Sequence, residues 1–211
     1  MKRIIIAIIV AMMPWYVQAQ VNDAVEHNDY QSPSLVVGVL ADVHMANTYA
    51  FTSEHSVDLL SGGGVVFARK YLGKHFALQV DVSATVSERT FIYPYYFMQG
   101  PGYSMSYQLY SLDIPLSFQY HMGKTDSRLR PYVGIGIGYA SATSYAYYNN
   151  WPEIDQYPRS VTTGPMMQAT EGITYRINKK LLFEQSMYYK IVQDIGNHRM
   201  GLRFGIGYTI M

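Results

Sequence analysis

The chain has no cysteine, almost no net charge and no long apolar run after its first residues, and each absence removes a class of protein. Without cysteine there are no disulfides, no thiolate metal sites and no acylated cysteine of the lipoprotein kind. A formal charge of +1 without a basic stripe excludes a nucleic-acid partner. No later stretch reaches the roughly 20 apolar residues of a membrane-spanning helix, which excludes helical transport bundles. If the mature chain crosses a membrane, it crosses with strands.

The N-terminal residues have the pattern of a secretory signal peptide. Two basic residues precede ten apolar residues, Ile4 to Met13, and Val17-Gln18-Ala19 follows with small or modest side chains at the usual cleavage positions. Ten apolar residues are too few to span a bilayer as a helix. We therefore expect residues 1–19 to be a signal peptide for the Sec pathway, cleaved before Gln20. Cleavage removes both basic residues and changes the formal charge from +1 to −1.

Glycines at every second position mark one segment as a strand of an unusual kind. Gly134, Gly136 and Gly138 alternate with apolar residues in the run 132–139. Because side chains of a strand alternate between its two faces, one face is apolar and the other is almost bare. This pattern is typical of a narrow β-barrel in a lipid bilayer, where apolar residues meet lipid and small or polar residues fill the interior.

Alternating patterns continue along the rest of the chain and predict an all-β fold, an eight-stranded antiparallel up-and-down transmembrane β-barrel. The predicted strands are residues 34–45, 62–72, 75–88, 106–121, 129–145, 161–177, 180–192 and 199–211. Residues 20–33 are then a periplasmic N-terminal segment, and residues 34–211 form the barrel. Two residues strain the pattern. Pro115 lies mid-strand and predicts a bulge or a broken pair, and Glu171 falls on the apolar face, which a bulge at Gly172 or a water interface would explain.

The links between these strands alternate in length, as they do in bacterial barrels with short periplasmic turns and longer outer loops. The short turns are at residues 73–74, 123–128 and 178–179. The other links are residues 46–61, 89–105, 146–160 and, shorter, 193–198. This order places both termini of the mature chain in the periplasm.

Two segments resemble the outer-membrane β-barrel domain family of Gram-negative bacteria, which includes small porin-family proteins and is related in shape to OmpA and OmpX barrels. They are Leu112–Leu116 and Arg130–Tyr139, the latter with its alternating glycines. The last strand is similar to the signal that the barrel assembly machinery recognises, through Arg203, Gly205, Tyr208 and Ile210, although Met211 stands where Phe or Trp is more typical. The resemblance implies a monomer in the outer membrane, in contact with lipid and lipopolysaccharide.

The alternation also predicts a charged barrel interior. The side chains expected to point inward are Asp42, Asp81, Asp113, Arg176, Glu184, Lys190 and Arg203, with Lys70 or Arg69 depending on register. Because an unpaired charge is costly to bury, these residues predict a lumenal salt-bridge network in which Arg203 reaches Asp42 on the neighbouring first strand. Such a network either plugs the barrel or provides a path for protons or small ions.

Histidines near the predicted upper rim raise the question of catalysis. Barrel closure brings the ends of strands one and eight together, and with them His44 and His198, with Asp194 and Ser53 or Ser56 in reach of a hydrolase triad. Glu54, His55 and Asp58 have metal-ligand side chains at an unspecific spacing, for which a solvated loop is the simpler interpretation. We expect no enzymatic activity, no cofactor and no metal.

Two long loops are rich in aromatic residues, whose rings offer rigid contact surfaces with polar tips. The candidate binding residues are Tyr93, Tyr95, Tyr96, Tyr103, Tyr147, Tyr148 and Trp151. They suit a glycan, another protein or lipopolysaccharide, or they extend the strands and form the outer aromatic girdle. The sequence thus favours a structural or surface-interaction protein of the outer membrane with a side-chain-filled lumen, and the alternative is a narrow channel for ions or small solutes.

Overall fold

A computed structural model describes residues 35–49, 56–93, 103–125, 127–148, 160–193 and 197–210. The predicted signal peptide and the segment 20–33 lie outside these residues. Within them, no helix is long and apolar enough to cross a membrane.

Eight antiparallel strands close into a barrel in which each strand pairs with its neighbours in sequence and β1 pairs with β8. The strands are β1 (Leu35–Tyr49), β2 (Ser56–Tyr71), β3 (Phe76–Tyr93), β4 (Tyr103–His121), β5 (Leu129–Tyr148), β6 (Ser160–Arg176), β7 (Leu181–Val192) and β8 (Asn197–Ile210). We call the end where β1 begins and β8 ends the lower end, and the opposite end the upper end. Residues 72–75, 122–128 and 177–180 connect strands at the lower end. The predicted eight-stranded barrel is confirmed.

Alternation of side chains places opposite chemistry on the two faces of the wall. In β3, Asp81, Ser83 and Thr85 are buried inside, whereas Val80 and Val82 are 43% and 44% exposed on the outside. The same period of two continues in every strand because a pleated backbone directs successive side chains to opposite faces. The core is therefore the lumen, whose lining is mostly polar but includes apolar side chains such as Val36, Leu40, Val65 and Phe67.

Several strands are longer at the upper end than predicted. β2 begins at Ser56 rather than at residue 62, and β5 continues to Tyr148 rather than ending at residue 145. β3 and β4 stay paired up to Tyr93 and Tyr103. Tyr, Phe and Thr fit a pleated sheet well, so these aromatic segments continue as strands past the predicted ends.

The two residues that strained the pattern lie in strands with an unbroken register. Pro115 pairs with Gly138 of β5. Toward β3 the strand pairing is interrupted at Pro115 but continues in the same register on either side. Pro115 therefore breaks a pair and forms no bulge. Glu171 is half-buried on the outer face, and the pairing of β6 shows no bulge on either side. Gly172 serves packing instead, since a Cβ there would lie 2.8 Å from the ring of Tyr132.

Candidate functional site

The lumen contains a balanced set of buried charges. In the described part of the chain, eight Asp, Glu, Lys and Arg side chains are at most 2% exposed. Four are anionic and four cationic: Asp42, Asp81, Asp113 and Glu184, and Arg69, Lys190, Arg199 and Arg203. Because a buried charge is tolerated only when it is paired and hydrogen-bonded, the contacts of these groups decide what the lumen can do.

The middle layer of the lumen is centred on Arg203 of β8. Its Nε donates to Asp42 Oδ2 at 2.8 Å, and its Nη1 donates to Asp81 Oδ2 at 3.0 Å. Asp42 Oδ1 also accepts from the Tyr188 hydroxyl at 2.9 Å and contacts His44 Nδ1 at 2.8 Å. The guanidinium carbon of Arg203 lies 4.2 Å from the centre of the Tyr188 ring, a cation–π geometry. This arrangement positions one cation between two carboxylates.

The lower layer is built on Arg69 of β2 and Glu184 of β7. Arg69 Nη2 donates to both carboxylate oxygens of Glu184 at 2.7 and 2.6 Å, and its Nε donates to Gln79 Oε1 at 2.7 Å. The Tyr132 hydroxyl donates to Glu184 Oε1 at 2.6 Å. Gln79 in turn donates through Nε2 to Asp81 at 2.6 Å. The lower and middle layers are thus one continuous hydrogen-bonded network.

The upper layer brings two cations to one carboxylate. Lys190 Nζ donates to Asp113 Oδ2 at 2.6 Å, and Arg199 Nη1 donates to the same oxygen at 2.9 Å. Arg199 was not among the residues predicted to point inward. The signal was present, because Arg199 and Arg203 are four residues apart on one strand and therefore share a face.

Most of these ion pairs join strands that are not neighbours in the sheet. Arg69–Glu184 links β2 to β7, Arg203–Asp81 links β8 to β3, and the pairs of Asp113 link β4 to β7 and β8. Side chains therefore cross the lumen at three levels. Arg203–Asp42 is different, since it joins the adjacent strands β8 and β1, as the sequence predicted.

The remaining predicted lumen residues have different positions. Arg69, and not Lys70, points inward, while Lys70 is exposed on the outer face. Arg176 is half-buried at the lower mouth. There it lines a pocket with Arg128, Arg130 and Thr174, away from the three charged layers.

The glycine face of β5 lies where strand β4 comes close. Gly136 is buried, and a Cβ at this position would lie 2.5 Å from Ser117 Oγ and 3.1 Å from the Leu116 carbonyl oxygen. Ser117 Oγ accepts a hydrogen bond from Gln168 Nε2 at 3.0 Å. The bare face thus leaves room for polar groups of the neighbouring strands inside a narrow barrel.

The two rim histidines do not meet. His44 lies inside the lumen, 4% exposed, on a strand that continues to Tyr49. His198 is on the outer face, where its ring stacks on Tyr189 and its Nδ1 lies 2.8 Å from the Tyr189 hydroxyl. The expectation that barrel closure brings both histidines together is wrong, because the two side chains lie on opposite faces of the wall.

Several residues considered for the rim lie outside the described residues. Ser53, Glu54, His55 and Asp194 are among them, and Ser56 and Asp58 belong to the first residues of β2. Within the part of the chain that the structure describes, no group of three His, Asp or Glu side chains has the geometry of a metal site.

The aromatic candidates fall into two groups. Tyr95, Tyr96 and Trp151 lie outside the described residues. The others are strand residues rather than loop residues: Tyr93 ends β3, Tyr103 begins β4, and Tyr147 and Tyr148 end β5. The upper ends of these three strands thus carry aromatic residues beside the undescribed links.

The predicted assembly residues lie on both faces of β8, the strand that closes the barrel against β1. Arg203 and Gly205 occupy inward positions, with Arg203 in the middle layer. Tyr208 and Ile210 are 43% and 42% exposed on the outer face.

Comparisons with known proteins agree with this architecture. Outer membrane protein W of Salmonella typhi and of Escherichia coli K12 are each 27% identical to this chain over 86 residues, which is 41% of the chain and 41% of each relative. The match thus spans about two fifths of the length of these curated relatives.

Solved structures share the fold at low identity. Neisserial surface protein A is 16% identical with a TM-score of 0.56, covering 86% of this chain and all of that one. OprG from Pseudomonas aeruginosa is 11% identical with a TM-score of 0.54, covering 86% and 97%. Residues 18–193 match the family profile described as outer membrane protein beta-barrel domain. The chain belongs to this family and is an outer-membrane β-barrel protein of Gram-negative bacteria.

Proposed function

We propose that this protein is a plugged outer-membrane barrel with a structural or surface-interaction role and without enzymatic activity. The observation that carries the proposal is the set of ion pairs between non-neighbouring strands, which crosses the lumen at three levels. An eight-stranded barrel has an interior about wide enough to be filled by side chains. Here the filling groups are long and charged.

The network favours a plug over a conduction path because each charge in it has an oppositely charged partner within 3.0 Å. The four carboxylates and four cations are matched in number, and each carboxylate accepts at least one hydrogen bond from a cation at 3.0 Å or less. Releasing one partner leaves an uncompensated buried charge, at a cost of about 3–5 kcal/mol. An ion that entered would have to displace these pairs.

Planar-bilayer recording of the refolded protein tests the plug. We expect no stable unitary conductance from the unaltered chain. Stable steps whose size changes in Asp113→Asn would show instead the narrow channel for ions or small solutes. Glu88→Gln is the matched control, since Glu88 is exposed on the outer face of β3 and lies outside the lumen.

The surface role is assigned to the upper strand ends with their aromatic residues, as a binding surface for a glycan, a protein or lipopolysaccharide. Replacing residues 94–102 with a two-residue Asn-Gly turn tests this surface, with lipopolysaccharide micelles and a glycan array as probes. We expect binding to fall at least about tenfold, a loss typical of removing central aromatic contacts. Shortening residues 194–196 is the control, and equal binding by both variants would contradict the assignment.

We infer the export route from the same family membership. Residues 1–19 act as the Sec signal peptide, residues 20–33 remain in the periplasm, and the barrel begins at residue 34. Arg203, Gly205, Tyr208 and Ile210 form the last-strand signal for the assembly machinery, and the folded product is a monomer. Cross-linking of the unfolded precursor to that machinery, with Tyr208→Ser as the variant, tests the signal. The variant should cross-link less, and undiminished cross-linking would exclude a role for Tyr208.

A further inference from the structure

Charge is distributed very unevenly between the two ends of the barrel. The lower segments 70–76, 122–131 and 175–181 contain eight basic residues and a single acidic one, Asp126. The basic residues are Lys70, Lys74, Lys124, Arg128, Arg130, Arg176, Lys179 and Lys180. The upper segments 46–61, 88–105, 146–160 and 193–198 contain six acidic residues and two basic ones. The three lower turns are therefore strongly cationic, which the lumen network does not require.

Lys70 shows at what depth this charge begins. It is exposed on the outer face of β2, one residue before the strand ends, and it pairs with Leu35 of β1 and Leu78 of β3. The next outward residue along the chain, Leu72, is 56% exposed. A lysine among outward apolar side chains is stable where its stem lies along the apolar surface and its ammonium reaches the headgroups.

Aromatic side chains mark the same depth around the barrel. Phe76 begins β3, Tyr120 and Tyr175 are the next-to-last residues of β4 and β6, and Tyr208 lies near the end of β8. All four are at least 40% exposed on the outer face. The rings of Phe76 and Tyr120 lie 5.4 Å apart. Such a belt is typical of the boundary between hydrocarbon and headgroups, so the basic residues lie at and just beyond the headgroup layer.

We propose that Lys70, Lys74, Lys124, Lys179 and Lys180, the lower collar, bind the phosphates of anionic phospholipid headgroups in the leaflet at this end. The lysines are on or beside all three lower turns, so they lie on several sides of the barrel instead of forming one face. A soluble acidic partner would contact one side, whereas a lipid leaflet contacts every side. Arg130 supports the collar from inside, because its Nη2 donates to the Lys74 carbonyl oxygen at 2.5 Å.

The proposal rests on outer-membrane placement and is independent of whether the lumen conducts. The two longest links, residues 94–102 and 149–159, leave the upper end, which places the collar at the opposite, periplasmic side, where the leaflet consists of phospholipid. Attraction of basic side chains to anionic headgroups acts within a Debye length, so it is sensitive to salt.

Electron paramagnetic resonance with spin-labelled phosphatidylglycerol and spin-labelled phosphatidylcholine tests the collar on the full barrel in vesicles. The ratio of the two association constants measures lipid preference at the protein surface. We expect a preference for phosphatidylglycerol of about threefold or more, which weakens as salt is raised. The variant Lys70→Gln/Lys74→Gln/Lys179→Gln/Lys180→Gln should bring the ratio close to one.

The matched control replaces the same four lysines with arginine, which keeps the charge and should keep the preference. Folding of each variant is checked by its shift on unheated gels. If the fourfold glutamine variant does not fold, the single variant Lys70→Gln replaces it and should lower the ratio of association constants partly. Equal binding of both lipids by the unaltered protein overturns the proposal. So does a glutamine variant that retains the preference.

Discussion

The inner and outer faces of the barrel wall differ more than any two regions along the chain. On β8, Arg203 is 2% exposed and held by two carboxylates, whereas its neighbour Phe204 is 49% exposed and apolar. In a soluble protein the charged residue would be outside and the aromatic residue inside. The inversion teaches that the outer solvent is lipid and that the interior is the more polar phase.

The two faces also depend on different kinds of interaction. Inside, stability depends on directional hydrogen bonds and ion pairs, so the cost of a substitution depends on the buried partner that it leaves unpaired. Outside, contacts with lipid have no preferred direction, so the cost of a charged substitution depends on the depth of its residue in the bilayer. A substitution on the inner face therefore needs a control that keeps the charge, and a substitution on the outer face needs a control at another depth in the bilayer.

The largest effect is expected from Arg203→Met, which removes the cation between Asp42 and Asp81. The methionine fills part of the volume but leaves two buried carboxylates without their cation, so the free energy of unfolding should fall by about 3–5 kcal/mol. Urea unfolding in vesicles, followed by tryptophan fluorescence and gel shift, measures the loss. Arg203→Lys keeps the charge and should lose less. A methionine variant as stable as the unaltered protein would mean that the network does not stabilise the barrel.

A charge on the outer face should have the next largest effect. Ile137 is 65% exposed and lies between Leu116 of β4 and Met167 of β6, well within the apolar band. Ile137→Arg should lower the free energy of unfolding in vesicles by about 2–4 kcal/mol. The control is Leu72→Arg near the lower interface, expected to cost about 0–1 kcal/mol. Equal losses at both positions would contradict a lipid-facing surface at Ile137.

The smallest effect compares two glycines on opposite faces. Gly136→Ala places a methyl group 2.5 Å from Ser117 Oγ in the lumen, and overpacking of this kind costs about 1–3 kcal/mol. At Gly62 on the outer face, a Cβ would meet nothing within 4 Å. Gly62→Ala should therefore be neutral or stabilising by about 0.4–1 kcal/mol. Matched unfolding curves distinguish the two, and equal values would mean that the lumen has room at Gly136.

Much of the fold followed from the sequence because a barrel strand repeats every two residues. That period predicted the closed eight-stranded sheet. Strand ends were less predictable. The upper segments up to Tyr93 and Tyr148 are rich in aromatic residues, which suit a loop surface and a strand equally well, and pairing with a neighbouring strand decided between them.

The lumen contacts were predictable only between neighbouring strands. Closure of the barrel pairs β1 with β8, so Arg203 and Asp42 could be matched from the sequence. Arg69 and Glu184 could not, because their strands are not neighbours and the contact depends on the tilt and stagger of the whole sheet. The prediction that the two histidines meet was wrong for a related reason, since adjacent strands bring residues together only when both side chains point to the same face.

The sequence by itself determined the strand period, the number of strands and the chemistry of each face, because these depend only on neighbours along the chain. The tertiary structure alone decided which buried charges meet across the lumen and that the lower lysines lie on several sides of the barrel, at and beyond the aromatic belt. The physical reason is the closure of the sheet, whose stagger sets the heights at which distant strands face one another.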